Sequence, residues 1–144
     1  MKIYLDLSVL NRPFDDQIQP RIWLETMAFT IILQLIETKK ISLVTSSVVA
    51  FENSKNPFPE RRDWVTGCMA LSRKNIFLNS DIRKKAQELE NQGFKPIDSL
   101  HLACAESGMV NFFLTCDDLI LKRYKAEKMV VINPIEFIFK ITRG

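Results

Sequence analysis

Apolar and polar positions along this chain switch between two periods, and the switches divide it into elements. Ile3-Tyr4-Leu5 is an uninterrupted apolar run that stops at Asp6, and Asn11-Arg12-Pro13-Phe14-Asp15-Asp16 follows, rich in turn formers. This pattern predicts a buried strand leading into a loop. From Arg21 to Thr38 apolar residues recur three and four apart. One stripe runs through Leu24, Met27, Ala28, Ile31 and Leu35, a second through Ile22, Phe29, Leu33 and Ile36. The spacing predicts a helix with two apolar sides, one covering a sheet and the other meeting a second helix or another subunit.

Ile41 to Thr45 predicts a second strand, and Ser46-Ser47 the cap of a helix through Val48, Val49, Phe51 and Glu52 that Pro57 ends. Glu60 to Arg73 has a helical pattern, Ile76-Phe77-Leu78 that of a short edge strand, and Ser80 to Asn91 that of a charged helix capped by Ser80 and stopped at Gly93. Pro96 stands at a first helical position, opening Ile97 to Ser107, with Gly108 as the stop. Phe112 to Thr115 reads as a strand before Cys116-Asp117-Asp118. After one more short helix, Met129 to Ile132 is the last strand, and Pro134 opens a final helix. Short apolar strands alternating with helices imply an α/β fold, a three-layer sandwich around a central parallel sheet of about four to five strands. With 144 residues the expectation is a single domain, 1–144, large enough to bury a core.

Composition narrows the class. Cys68, Cys104 and Cys116 are odd in number, lack Cys-x-x-Cys spacing and have one His in the chain to assist them, which disfavours zinc-finger and disulfide scaffolds and suits a reducing cytoplasm. Asp6 interrupts what could otherwise be a signal-peptide core, so no export is expected. The eleven uncharged residues between Glu25 and Glu37 fall short of the ~18 needed to span a membrane. Lys and Arg occur in groups (Arg61-Arg62, Arg73-Lys74, Arg83-Lys84-Lys85, Lys122-Arg123), which by themselves describe solvated faces.

In open parallel sheets ligands bind beyond the carboxyl ends of the strands. The residues there are acidic: Asp6 closes the first strand, Glu52 lies in the helix after the second, Asp98 follows Pro96, and Asp117 follows the Phe112–Thr115 strand. Each alone has a structural explanation, as a turn acceptor, a solvated carboxylate, a helix-dipole partner or a cap. Gathered at one edge they would raise one another's pKa unless a cation neutralised them. Oxygen-only ligands suit Mg²⁺ or Mn²⁺ rather than zinc, and carboxylate-held metals serve phosphodiester hydrolysis. Twenty Lys and Arg against seventeen Asp and Glu give +3, and without the four acids the rest of the chain carries +7, a basic body suited to flanking phosphates.

Four segments resemble the PIN-domain ribonucleases, especially the small VapC-type toxins of type II toxin–antitoxin systems: Ile3-Tyr4-Leu5-Asp6-x-Ser8-Val9-Leu10, Ser46-Ser47-Val48-Val49-x-Phe51-Glu52, Pro96-Ile97-Asp98-Ser99-Leu100-His101-Leu102-Ala103 and Phe113-Leu114-Thr115-Cys116-Asp117. They occur in family order over nearly the whole chain. The resemblance implies a PIN-like α/β/α fold with the Asp6 strand between those leading to Glu52 and Asp117. It implies Mg²⁺- or Mn²⁺-dependent endonucleolytic cleavage of RNA in the cytoplasm, and as partners a second copy of the chain and an antitoxin protein. Asp6 and Asp98 would be the principal metal ligands, with Glu52 and Asp117 holding metal or its water. Ser8 and Thr115 would be supporting residues. Leu7 replaces a hydroxyl residue common in the family, and Asp118 competes with Asp117 for the fourth acid, although the Thr-x-Asp spacing favours Asp117.

The alternative function is a catalytically weak or inactive PIN-fold module that binds RNA or protein. A receiver-like signalling domain would need paired acids at the first strand and a Lys after the last, and a haloacid-dehalogenase-type phosphatase would need Asp-x-Asp. Asp6-Leu7-Ser8 and Ile132-Asn133-Pro134 supply neither. His101, one helical turn after Asp98, reads as a hydrogen-bonded core residue rather than a general base. Arg12 could touch phosphate as a lone loop residue, and Trp23 and Trp64 read as packing residues rather than base-stacking ones.

Overall fold

The computed structural model describes residues 1–125 and 127–143. Its centre is a parallel sheet of five strands, β1 (Lys2–Leu5), β2 (Ser42–Ser46), β3 (Lys74–Ile76), β4 (Phe112–Leu114) and β5 (Val130–Ile132), in the order β3-β2-β1-β4-β5. Tyr4 pairs with Val44 on one side and Phe113 on the other, so β1 is central. The helices are α1 (Leu7–Leu10), α2 (Pro20–Glu37), α3 (Ser47–Ser54), α4 (Pro59–Met69), α5 (Ser80–Asn91), α6 (Pro96–Ser107), α7 (Asp118–Arg123) and α8 (Pro134–Arg143).

Topology explains the layers. From β1 the chain steps outward to β2 and β3, then returns across β1 to β4 and continues outward to β5. Right-handed crossovers in opposite directions place their helices on opposite faces. α2 packs with α8, and Trp64 of α4 stands edge-on to Phe29 of α2, while α5 packs with α6. The three-layer expectation is met. The reversal of direction lies at β1 and β4, which opens a crevice at their carboxyl ends.

Burial of the strand residues secures this frame. Ile3, Tyr4, Phe113, Leu114, Phe29, Leu102 and Phe137 are all fully buried. The Tyr4 ring stacks on Phe113 at 5.3 Å between β1 and β4, and Phe112 meets Phe137 edge-on. Each such side chain contributes roughly 1.5–3 kcal/mol by leaving water. All three cysteines are free and buried, and burial pushes the Cys68 and Cys104 thiols up to about 11.

Several boundaries differ from the sequence pattern for identifiable reasons. The chain after Asp6 turns at once into α1 instead of a loop, because Asp6 caps that turn. α5 is capped by Asn79, whose Oδ1 accepts the Ile82 amide at 2.8 Å, and not by Ser80, its first residue. α4 stops at Met69, since the Arg73 amide is already committed to the Leu43 carbonyl at 2.8 Å. The edge strand therefore begins at Lys74, and Phe77 is left exposed beyond its end. On α2 the covered face is Glu25, Ala28, Phe29, Ile32 and Ile36, while Trp23, Leu24, Met27 and Ile31 remain exposed.

Glu25 is the unexpected member of that covered face. It has no exposure at all, and accepts Arg12 Nε and Nη2 at 2.9 and 2.8 Å, Arg21 Nε at 3.2 Å and Asn133 Nδ2. Burial alone would raise its pKa, but Asn133, Arg12 and Arg21 together hold the carboxyl below its ordinary value. Arg12 is thus a structural partner of Glu25 and Asp15.

Candidate functional site

At the carboxyl end of β1 the backbone runs straight into the cap of α1. Asp6 Oδ1 accepts the Val9 amide at 3.3 Å and the Ser8 hydroxyl at 2.5 Å. Having given its hydrogen to Asp6, the Ser8 oxygen accepts the Cys116 amide at 2.9 Å and lies 3.3 Å from Thr115 Oγ1, which in turn accepts the Asp117 amide at 3.0 Å. Ser8 and Thr115 thus tie the end of β1 to the segment following β4. Burial raises the Asp6 pKa, against the lowering influence of the Ser8 and Thr115 hydroxyls.

Asp117 caps α7 through one oxygen, Oδ1, which accepts the Leu119 and Ile120 amides at 2.8 and 3.4 Å. Asp118 next to it is turned outward and paired with Arg21 at 2.8 Å. The charges acting on Asp118 are Arg21, Lys122 and Arg12, whereas Asp117 acts on Asp98. Of the two neighbouring acids, Asp117 is the one whose charge acts on Asp98.

Asp98 lies in the first turn of α6, which Pro96 starts. Its carboxyl accepts no hydrogen bond from the described residues and its pKa is pushed up to about 6, first by burial, then by the charges of Asp117, Asp6 and Glu52, against a lowering contribution from His101. Asp6, Glu52 and Asp117, from segments distant in sequence, thus lie near enough for their charges to act on Asp98.

Glu52 reaches this cluster from α3 and is held by a buried chain of hydrogen bonds. The Val49 amide donates to Ser46 Oγ at 3.4 Å. Ser46 Oγ lies 2.6 Å from the Tyr4 hydroxyl, Tyr4 lies 2.7 Å from His101 Nδ1, and His101 Nε2 lies 2.7 Å from Glu52 Oε1. A carboxylate can only accept, so Nε2 carries the hydrogen of that last bond, and in the neutral ring Nδ1 accepts from Tyr4. Burial, the largest influence, keeps the Tyr4 phenol protonated by raising its pKa well above the ordinary value. His101 is a hydrogen-bonded core residue, as its apolar stripe suggests, and it also grips one of the four acids. The sequence signal for that role was its position one turn after Asp98.

The fit to a cation can be judged from these bonds. Asp117 and Glu52 each commit one oxygen to the protein and leave the other free of hydrogen bonds from the described residues, and both Asp98 oxygens are free. Every donor is a hard carboxylate oxygen, which suits Mg²⁺ or Mn²⁺. The arrangement is open: among the described residues no three His, Cys, Asp or Glu side chains stand close enough together, as placed, to hold a metal ion. The donor chemistry fits such an ion, although the acids as placed do not enclose one.

An open groove of about 520 Å³ leads away from the cluster on the α3–α4 side, lined by Ser8, Glu52, Asp15, Lys55, Phe58 and Arg61 among others. Sequence reasoning passed over Phe58, which stands outside the helical and strand patterns.

No family model matches the chain, and no curated protein matches it in sequence. Among solved structures it is similar to a chain of the complex described as VapBC2 from Rickettsia felis bound to a DNA fragment from their promoter. The TM-score is 0.60 and the identity 17%, over 92% of this chain and 98% of that one. The likeness is one of fold: the architecture is the PIN-like three-layer sandwich that the four sequence segments imply. Among the described residues no helix is long and apolar enough to cross a membrane.

Proposed function

We propose that this chain, built on the fold it shares with a VapBC2 chain, is a divalent-metal-dependent endoribonuclease of the VapC-like kind, the toxin of a toxin–antitoxin pair. The observation that supports the reading is that Asp6, Glu52 and Asp117 act on Asp98 near the topological switch point, Asp98 being raised to about 6 first by burial and then by these acidic neighbours. An uncompensated cluster of this kind costs stability, and a bound divalent cation offsets the cost.

Asp6, Asp98 and the free oxygens of Glu52 and Asp117 would hold Mg²⁺ or Mn²⁺. When bound, the ion supplies polarisation of a phosphodiester and a water of lowered pKa. The chain's own residues do the rest. Ser8 and Thr115 fix the Asp6 carboxylate against β4, and the Ser46–Tyr4–His101 chain fixes Glu52, so the ligand oxygens are positioned before substrate arrives. Asp98, whose carboxyl accepts no hydrogen bond from the described residues, would supply a further ligand oxygen.

The expected partners are RNA as substrate, an antitoxin protein as inhibitor, and a second copy of the chain. For the last, the exposed Trp23, Leu24, Met27 and Ile31 of α2 provide an apolar surface. The expected compartment is the cytoplasm. The test is incubation of the purified protein with single-stranded RNA. Cleavage should require Mn²⁺ or Mg²⁺, stop with EDTA, and fall at least about a hundredfold in Asp98→Asn. Cleavage undiminished by that substitution would remove the acid cluster from the reaction.

A second reading, a PIN-fold module that binds RNA or protein without cutting it, is favoured by the open arrangement of the acids and by Leu7. Titration with Mn²⁺ separates the two: a binding heat abolished by Asp6→Asn belongs to the nuclease, and no heat belongs to the module.

A further inference from the structure

The groove on the α3–α4 side is built for more than solvent. Its floor is continuous with the acid cluster through Ser8 and Glu52, and its far wall is the connection from α3 to α4. Phe58, with 50% of its surface exposed, stands out from this wall, and Phe51, 58% exposed on α3, adjoins the groove through Lys55. Each carries a cation on a ring face: Lys55 Nζ lies 4.9 Å from the Phe51 centroid, and the Arg61 guanidinium lies 4.5 Å from that of Phe58 and 5.5 Å from that of Phe14.

Neither cation is neutralised. Among the described residues Lys55 and Arg61 form no ion pair, while the acids lining the same groove are already engaged, Asp15 by Arg12 at 3.0 Å and Glu52 by His101. The wall is also fixed in place. Asn56 Oδ1 accepts the Phe58 amide at 3.0 Å, the Asn56 carbonyl accepts Arg62 Nη1 at 2.6 Å, and Asn53 Nδ2 donates to the Arg62 carbonyl at 3.1 Å. An exposed aromatic of the pinned connection, a second on α3, and two cations without ion pairs among the described residues thus border the groove that leads from the acids.

Resting on the nuclease reading above, we propose that this flank is a single-stranded RNA subsite, in which Phe51 and Phe58 stack bases adjacent to the cleaved bond and Lys55 and Arg61 hold the phosphates between them. Base faces are accessible to aromatic side chains only in unpaired strands, because in a duplex they are covered by their neighbours. Stacking on phenylalanine reads no base edge, so the flank selects unpaired RNA with little sequence preference. Lys55 and Arg61, which form no ion pair among the described residues, favour an anionic occupant on this flank.

The experiment reads binding apart from cleavage. In an Asp98→Asn background, a fluorescein-labelled single-stranded RNA of mixed sequence and about twelve nucleotides is titrated by anisotropy in EDTA. Phe51→Ala and Phe58→Ala should each weaken binding roughly five- to a hundredfold. Lys55→Ala and Arg61→Ala should each flatten the slope of log affinity against log salt by about 0.7. The affinity for the matched duplex should change less. All four residues are at least partly exposed, so thermal melting serves as the folding control. Unchanged single-strand affinity and salt slope in the four variants would overturn the subsite and leave the groove to a protein partner, even if metal-dependent cleavage by the parent chain is intact. Loss of RNA binding in these variants, with no cleavage by the parent chain under any metal, would keep the subsite and overturn the nuclease instead.

Discussion

Asp98→Asn should make the metal-free protein more stable, and only at neutral and alkaline pH. The structure raises this carboxyl from 3.8 to about 6, chiefly by burial and then through Asp117, Asp6 and Glu52. For an acid whose folded pKa lies above its unfolded value, ionisation opposes folding. The penalty is absent below about pH 4, grows as pH rises through the interval, and is complete above about pH 6. The difference corresponds to at most about 3 kcal/mol. Allowing for partial exposure and solvent screening, about 1–2 kcal/mol is expected, or a few degrees in Tm. Urea unfolding in EDTA at pH 4 and pH 8 measures it: the variant should exceed the parent at pH 8 and match it at pH 4. Mn²⁺ should then stabilise the parent more than the variant, since it binds the folded chain through the group removed. A variant less stable than the parent at pH 8, or an advantage that persists at pH 4, would refute the claim that burial and the neighbouring carboxylates penalise the charge of Asp98.

Glu25→Gln should cost roughly 2–4 kcal/mol at pH 7, because it leaves Arg12 and Arg21 around an uncharged buried partner. Since the folded pKa of Glu25 is depressed, its contribution is present above the unfolded pKa near 4.5 and is lost as pH falls through the folded one. The gap in urea unfolding should therefore shrink in acid, and a constant gap would point to packing instead. Tyr4→Phe removes the hydroxyl between Ser46 and His101 and should cost about 1–3 kcal/mol. The His101 ring signal in ¹H–¹⁵N spectra should move from the tautomer with hydrogen on Nε2 toward a mixture, whereas an unmoved ring would show that Glu52 alone orients it. Gly93 has φ +104°, and a Cβ there would meet the Arg123 guanidinium, which donates to the Gly93 carbonyl at 3.1 Å. Gly93→Ala should thus destabilise by about 1–2 kcal/mol in thermal or urea unfolding.

What the sequence made legible follows from how each signal arises. The strands before Asp6, Glu52 and Asp117 are short apolar runs because a parallel sheet buries both faces, and that pattern survives in one dimension. Pro96 and Gly108 mark α6 because their backbone restrictions are local. The edge strand was displaced because its register depends on hydrogen bonds to β2, a partner remote in sequence. Glu25 was invisible for a related reason: a charged residue in an amphipathic pattern reads as solvent-facing, and only the fold brings Arg12, Arg21 and Asn133 around it. The face of α2 that stays exposed was likewise beyond periodicity, which shows two apolar stripes without saying which one finds a neighbour.

The structural and the chemical explanations of the acids are not rivals. Asp6 and Asp117 do cap α1 and α7, Asp98 does sit in the first turn of α6, and Glu52 is tied to His101. Three of these tasks, however, fall on a single oxygen: Asp6 Oδ1, Asp117 Oδ1 and Glu52 Oε1. A cap or a histidine bond immobilises the carboxylate and fixes the direction of the other oxygen, which is what a metal ligand requires before the ion arrives. The same bonds weaken the mutual repulsion only partly, as the pKa of Asp98 records. Asp98, raised to about 6, is also the acid whose carboxyl accepts no hydrogen bond from the described residues. Stability measured against pH and against Mn²⁺ in the Asp98→Asn chain thus reports on the site's electrostatics before any substrate is supplied.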